Sequence, residues 1–212
     1  RDLSLLEDFN CRYHISQISS SKSVDIIDKK KDIVDFTTGV SINNLSLNEN
    51  DIGDFKTFLK LSPPLRTEED RTSLIKAINK DLIDVIVSDH KPEDEESKRL
   101  TFSQAATGAS GIETLLSLTL ELFHNDSVKL FKLIKLLTCN PAKILKINKG
   151  NLSVGSDADF CIVDLYKPWI VKKEKIFSKS KNTCIDDKKI QGLVTNTFVK
   201  GEGYYFKEAK GN

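Results

Sequence analysis

The sequence predicts an α/β protein built on a parallel sheet, followed by a smaller β region. Three observations carry this. Val85-Ile86-Val87 is a short unbroken apolar run, the pattern of a strand buried on both faces. Strand-like and helical patterns alternate before and after it, in the order strand, helix, strand, loop, helix, strand. After Gly150 the character changes to short strands separated by glycine turns.

Taken in order, Leu3 to Asn10 reads as the end of a helix. Tyr13 to Ser19 alternates as a strand does and ends in hydroxyl residues suited to cap the next helix. Ser23 to Lys31 is expected to form a short helix with Val24, Ile26 and Ile27 inward, and Ile33 to Thr38 a second strand. Gly39 to Lys60 reads as a long polar loop, a length that inside a compact domain usually carries function or mobility. Thr67 is an N-cap with Asp70 three residues on, a near match to a capping box. Leu74, Ile75 and Ile78 then give the helix its buried stripe, and it leads into the Ile83–Ser88 strand. An acidic loop, Glu93 to Glu96, follows. Ile112, Leu115, Leu116, Thr119, Leu120 and Phe123 mark one amphipathic helix, and Leu130, Ile134 and Leu137 another. Asn140-Pro141-Ala142 starts a short helix in cap-then-proline order. Leu152 to Gly155, Phe160 to Asp164 and Leu193 to Val199 are the expected strands of the last region, with Tyr204-Tyr205-Phe206 turned back by Gly201 and Gly203.

Composition excludes some partners. Across 212 residues the net charge is +1, with 30% charged and 39% hydrophobic residues, which gives no electrostatic case for nucleic acid or an anionic membrane. No apolar run reaches membrane-spanning length. Cys11, Cys139, Cys161 and Cys184 form no C-x-x-C pair, so a thiolate zinc site is not indicated, and a reducing, cytoplasmic compartment fits them. Cys161, inside Phe160-Cys161-Ile162-Val163, is expected to pack as a small hydrophobe. The chain lacks methionine and opens in the manner of mid-helix, so it is expected to be a piece of a longer protein.

The chemistry concentrates where the Val85–Val87 strand stops. Ser88, Asp89 and His90 follow it, and Pro92 prevents the strand from continuing. A buried strand that delivers an acid at its C-terminal end is how parallel barrels present catalytic groups, although aspartate also closes turns. His90 suits either orientation of the loop or contact with substrate. His14 reads as structural, and His124 as a helix-end surface residue interacting with the helix dipole.

Several motifs, in order, carry a family resemblance. Ser62-Pro63-Pro64-Leu65-Arg66 with Glu68-Glu69-Asp70-Arg71 resembles the N-P-P-L-R-x-E-E-D-R signature of dihydroorotases. Asp84 to His90 resembles their D-x-I-x-T-D-H strand, and Gly108 to Thr114 their G-x-x-G-x-E-T segment. Thr138-Cys139-Asn140-Pro141-Ala142, Gly155-Ser156-Asp157-Ala158-Asp159 and Ser178-Lys179-Ser180-Lys181-Asn182-Thr183 are similar to T-x-N-P-A, G-x-D-A-D and S-K-S-x-N-T. The resemblance covers nearly the whole chain.

It implies the C-terminal part of a (β/α)₈ barrel of the metal-dependent amidohydrolase type. Residues 1–146 would form the last three barrel strands with their helices, and residues 147–212 a composite β region. It implies zinc-dependent interconversion of dihydroorotate and carbamoyl-aspartate in pyrimidine synthesis, with most zinc ligands outside this chain. Asp89 matches the acid that touches metal and moves the proton; His90 and Gly108 fall where substrate contacts are expected. A small-molecule substrate, a homo-oligomer and aspartate carbamoyltransferase are the expected partners.

This chain also departs from the pattern. Gln17 stands where the family carries a second histidine ligand, and an amide oxygen binds zinc poorly beside imidazole. Ser41-Ile42-Asn43-Asn44-Leu45 replaces T-P-H-H-L, Ser62 replaces the asparagine before Pro-Pro-Leu-Arg, and Glu93 replaces a histidine and would repel a dicarboxylate. Two other readings therefore stand beside the enzyme: an inactive dihydroorotase-like partner of aspartate carbamoyltransferase, and a hydrolase of another cyclic amide of hydantoin or allantoin type.

Overall fold

A computed structural model describes residues 1–9 and 11–207. Helix α1 (Asp2–Leu5) precedes strand β1 (Tyr13–Ile18), helix α2 (Ser21–Lys30) and strand β2 (Phe36–Ser41). Helix α3 (Ile42–Ser46), two short 3₁₀ turns and helix α4 (Glu68–Asn79) lead to strand β3 (Val85–Val87). β1, β2 and β3 form one parallel sheet in that order, as the alternation of strands and helices predicts. Their C-terminal ends therefore lie on one side, and the site sits there.

Local chemistry explains the boundaries. Ser20, not Ser19, caps α2 by accepting from the Ser23 amide, and Thr67 caps α4 by accepting from the Asp70 amide. Val24 and Ile27 are buried on α2, but Ile26 is exposed and lies off that stripe. The second strand begins at Phe36 rather than Ile33, which is exposed. Its core run is instead Phe36, Val40 and the buried hydroxyls of Thr38 and Ser41. Asp84 pins the start of β3: its carboxylate accepts from the Thr38 amide at 2.8 Å, and its own N–H donates to the Thr38 carbonyl at 2.8 Å.

The expected polar loop from Gly39 is mostly ordered structure, because Gly39 to Ser41 complete β2 and the Ser41 hydroxyl accepts from the Asn43 amide to start α3. Lys98 closes the same region. Almost wholly buried, it is the last residue of helix α5 (Glu95–Lys98), and its ammonium donates to the carbonyls of Thr57 and Ala106 at 3.1 and 2.8 Å.

Helices α6 (Leu115–His124), α7 (Leu130–Leu137) and α8 (Cys139–Leu145) follow. Ile112 is exposed and precedes α6, whose buried face runs through Ser117, Leu118, Leu120 and Leu122. On α7 the buried pair is Leu133 and Leu136, while Ile134 lies at the margin. Asn140 does not cap α8; its side chain reaches back to the Asp84 carbonyl at 2.9 Å and ties the helix to the base of β3. His124 is half-buried between the rings of Phe123 and Tyr166, rather than solvated at the helix end.

Strands β4 (Phe160–Ile170), β5 (Lys189–Val199) and β6 (Glu202–Phe206) make a separate antiparallel sheet. Leu152 to Gly155 is not one of its strands; it is coil and turn, with Leu152 and Val154 facing solvent. Cys161 is exposed too, not packed as a small hydrophobe. β5 is held to α6 by Ser117, whose hydroxyl donates to the Gly192 carbonyl at 2.6 Å, and Trp169 of β4 donates its indole N–H to the same carbonyl at 3.0 Å.

Candidate active site

Three strand ends build the site. On β1 the register against β2 slips between Ile15, opposite Thr38, and Ile18, opposite Val40, so β1 uses one more residue than its neighbour. Such a bulge bends a strand and re-aims a side chain. Gly39 makes room for it, since a Cβ at that position would collide with the Ser16 carbonyl. Gln17 lies in the bulge, and its amide Nε2 donates to Asp89 Oδ1 at 2.9 Å.

Asp89 occupies a left-handed conformation, φ +48°. Aspartate tolerates that region better than most residues, and here it turns the chain out of β3 immediately after Ser88. Asp89 is half-buried.

His90 pairs with Ala109 in an isolated parallel bridge. Its Nδ1 accepts from the backbone N–H of Gly111 at 3.2 Å and faces that of Ile112 at 3.4 Å. A ring nitrogen that accepts from amides carries no proton, so the neutral ring holds its proton on Nε2.

Gly108 has φ +136°, and a Cβ there would stand 2.6 Å from the Lys91 carbonyl oxygen. Its N–H donates to the Lys60 carbonyl at 3.0 Å and its carbonyl accepts from Asn182 Nδ2 at 3.1 Å. Its observed role is thus close backbone approach. Glu93 does not face the site uncompensated, because Lys91 Nζ lies 3.6 Å from its carboxylate.

Asn43 and Asn44, beyond the end of β2, are both buried. Asn44 Nδ2 donates to the Pro64 carbonyl at 3.0 Å, whereas Asn43 Nδ2 and Asn44 Oδ1 have no partner among the described residues. His14, on the opposite end of β1, holds Thr37 Oγ1 at 2.7 Å and takes no part. Burial pushes the Cys184 thiol up to about 12, which leaves it protonated and a poor ligand or nucleophile.

Among the described residues, no group of three or more histidine, cysteine, aspartate and glutamate side chains is placed to hold a metal ion. Asp89 is the only acidic group at the strand ends just described, and a neutral amide already satisfies one of its oxygens. The described donors therefore do not make a zinc site by themselves.

The sequence picks out Asp89, His90 and Gln17 but not the partners that fix them. The Gly39 clearance could be read only once a bulge was known. Asn182 lay in a quoted motif, yet its role depends on chain segments far apart in sequence.

A carboxylate, an imidazole and amides lie together at the C-terminal ends of parallel strands, the side on which α/β proteins carry their sites. The amidohydrolase family model matches residues 9–202, and the chain belongs to that family. It is 38% identical over 207 residues to a dihydroorotase of Ehrlichia canis (strain Jake), covering 97% of this chain and 46% of that protein. It is 37% identical over 212 residues to a dihydroorotase of Thermoanaerobacter sp. (strain X514), covering 99% of this chain and 49% of that one. Among solved structures, an L-hydantoinase from Arthrobacter aurescens superposes with a TM-score of 0.91 at 27% identity, over 98% of this chain and 48% of its own. An inactive dihydroorotase-like domain of the Chaetomium thermophilum CAD-like multifunctional protein superposes with a TM-score of 0.71 at 20% identity, over 97% and 54%. The chain spans about half the length of the curated relatives it matches. It has the fold of part of an amidohydrolase barrel with an attached β region.

Proposed function

We propose that this chain is the C-terminal part of a dihydroorotase, hydrolysing or closing a cyclic amide, with Asp89 as the proton-transfer group. The observation that carries the reading is Asp89 itself. It stands at the end of β3 in a left-handed turn that only a few residue types accept, backed by dihydroorotase relatives at 36–39% identity. In hydrolysis, Asp89 takes a proton from the water that attacks the ring carbonyl carbon. It then gives that proton to the amide nitrogen as the carbon–nitrogen bond breaks. In ring closure it takes a proton from the ureido nitrogen as the carbon–nitrogen bond forms and gives it to the hydroxyl that leaves the carboxyl carbon as water. Neutral His90, with its proton on Nε2, is placed in this reading as a donor to substrate, and Gly108 as the close-packed glycine that seats its loop.

Zinc belongs to this reading as a group held mainly by residues outside the chain, with Asp89 its one ligand here. The division at residues 146 and 147, a homo-oligomeric state and a cytoplasmic location belong to it as well. No described helix is long and apolar enough to cross a membrane, and the four cysteines are unpaired.

One observation favours a second reading. Gln17 donates to Asp89 where an imidazole ligand would be needed, and Asn43 and Asn44 also stand as amides. That donor set suits an inactive dihydroorotase-like subunit partnering aspartate carbamoyltransferase. The test is to measure zinc content and dihydroorotate hydrolysis of the full-length protein. Zinc-dependent turnover supports the enzyme; a zinc-free, inactive protein that still binds the transcarbamoylase replaces it with the second reading.

A further inference from the structure

Segment 176–184 is stitched to the candidate site through one buried amide. Asn182 is 2% exposed. Its Nδ2 donates to the Gly108 carbonyl at 3.1 Å, and its Oδ1 accepts from Ser110 Oγ at 3.3 Å, from Ser180 Oγ and from the Glu93 amide at 3.4 Å. Its backbone carbonyl also accepts from the Ser110 amide at 3.1 Å. Glu113 adds a second clasp, its two carboxylate oxygens accepting from the amides of Phe177 and Ser178 at 3.0 and 3.1 Å.

These bonds join three stretches that are distant in sequence: the turn at 88–93, the segment 108–114 and the strap 176–184. The middle stretch in turn donates its Gly111 and Ile112 amides to His90 Nδ1. A network in which each member is satisfied fixes its geometry more firmly than separate pairs do.

We propose that Asn182 is a positioning residue. It acts through the Gly108–Ile112 backbone to hold His90 in its Nε2-protonated form and, with it, the Asp89 turn. The proposal rests on the dihydroorotase reading only for its effect on turnover; its effect on His90 stands independently.

The experiment uses full-length protein, wild type, Asn182→Ala and Asn182→Asp, with the imidazole ¹⁵N resonances of His90 as the first readout. Wild type should show an unprotonated, hydrogen-bonded Nδ1. Both variants should show exchange between tautomers and faster amide exchange at Gly111 and Ile112. Dihydroorotate hydrolysis is the second readout: kcat should fall on the order of 10²-fold, the loss that follows about 1 Å of misplacement, while KM changes little. If Asn182→Ala does not fold, Glu113→Gln, which weakens the other clasp, is read in its place with the same expected signature. A wild-type His90 protonated on Nδ1, or variants with His90 resonances unchanged, overturns the proposal. Wild type without turnover but with the expected His90 signature removes the enzymatic reading and leaves the positioning role.

Discussion

Gln17 Nε2 and Asp89 Oδ1 stand 2.9 Å apart and join two strands that are not neighbours, since β2 lies between β1 and β3. The pair closes over the end of β2 and uses an uncharged donor. A neutral amide orients the carboxylate without placing a second charge beside it.

The first prediction concerns that carboxylate. In the full-length protein, Asp89→Asn preserves shape but removes the proton acceptor, and turnover of dihydroorotate should fall by about 10²–10⁴-fold. The melting temperature should stay near the wild-type value, because the left-handed turn suits asparagine as well. Steady-state kinetics and a thermal melt measured together check both halves. Near-normal turnover would remove Asp89 from its assigned role.

A second prediction addresses the metal. Gln17→His in the full-length protein puts imidazole, a strong zinc donor, beside Asp89. Zinc retained after dialysis against a weak chelator should rise relative to wild type. Elemental analysis decides it, and unchanged zinc content would mean that position 17 does not face the metal site.

Why the sequence told so much of this and not the rest has a physical basis. Val85–Val87 was legible because a strand buried on both faces must be apolar throughout, and Thr67 because an N-cap has few chemical solutions. The β2 boundary was not legible, because Thr37, Thr38 and Ser41 are polar residues of a buried strand and Ile33 is an exposed apolar one. Leu152 and Val154 failed for the complementary reason: alternation alone does not make a strand without a partner to pair with. At the site, single residues such as Asp89 announced themselves. The Gly39 clearance and the Asn182 stitching arise only when distant segments meet.

The third prediction tests the bulge. Gly39→Ala forces a methyl group against the Ser16 carbonyl, and backbone does not yield as a flexible side chain does. The substitution should destabilise by about 1–3 kcal/mol. It should also lengthen the Gln17–Asp89 contact, which a urea melt and the side-chain amide resonances of Gln17 report. A neutral melt would show that β1 has slack at this point.

A fourth prediction follows from the open side of β1, which among the described residues pairs with β2 alone. An unpaired parallel edge templates further pairing. Expressed as these 212 residues, the protein should self-associate as concentration rises. Sedimentation velocity across a hundredfold dilution checks this, and a monomer at every concentration would contradict it.

The last prediction is a pH dependence. Asp70 accepts from the Ser21 amide at 2.7 Å, from Ser21 Oγ at 2.9 Å and from Thr67 Oγ1 at 2.9 Å. It therefore sits at the N-termini of both α2 and α4, where a negative charge is favoured. These bonds, that from the Ser21 amide foremost, hold its pKa below the ordinary carboxylate value. A carboxylate whose folded pKa is depressed stabilises the fold above its unfolded pKa of about 3.9, and that contribution disappears as pH falls through the folded value. Glu68 is pushed down to about 2, chiefly by Arg71, but its side chain is 51% exposed and solvent screens the pair. Asp70 should thus matter more to acid stability than Glu68 does. Asp70→Asn should cost about 1–2 kcal/mol at pH 7, the scale of a lost helix cap, and much less at pH 3. Glu68→Gln should change stability little at either pH. Urea melts of the two variants at pH 7 and pH 3 decide it: an Asp70→Asn penalty that persists undiminished at pH 3 would show that the side chain's shape, and not its charge, holds the two helix ends together.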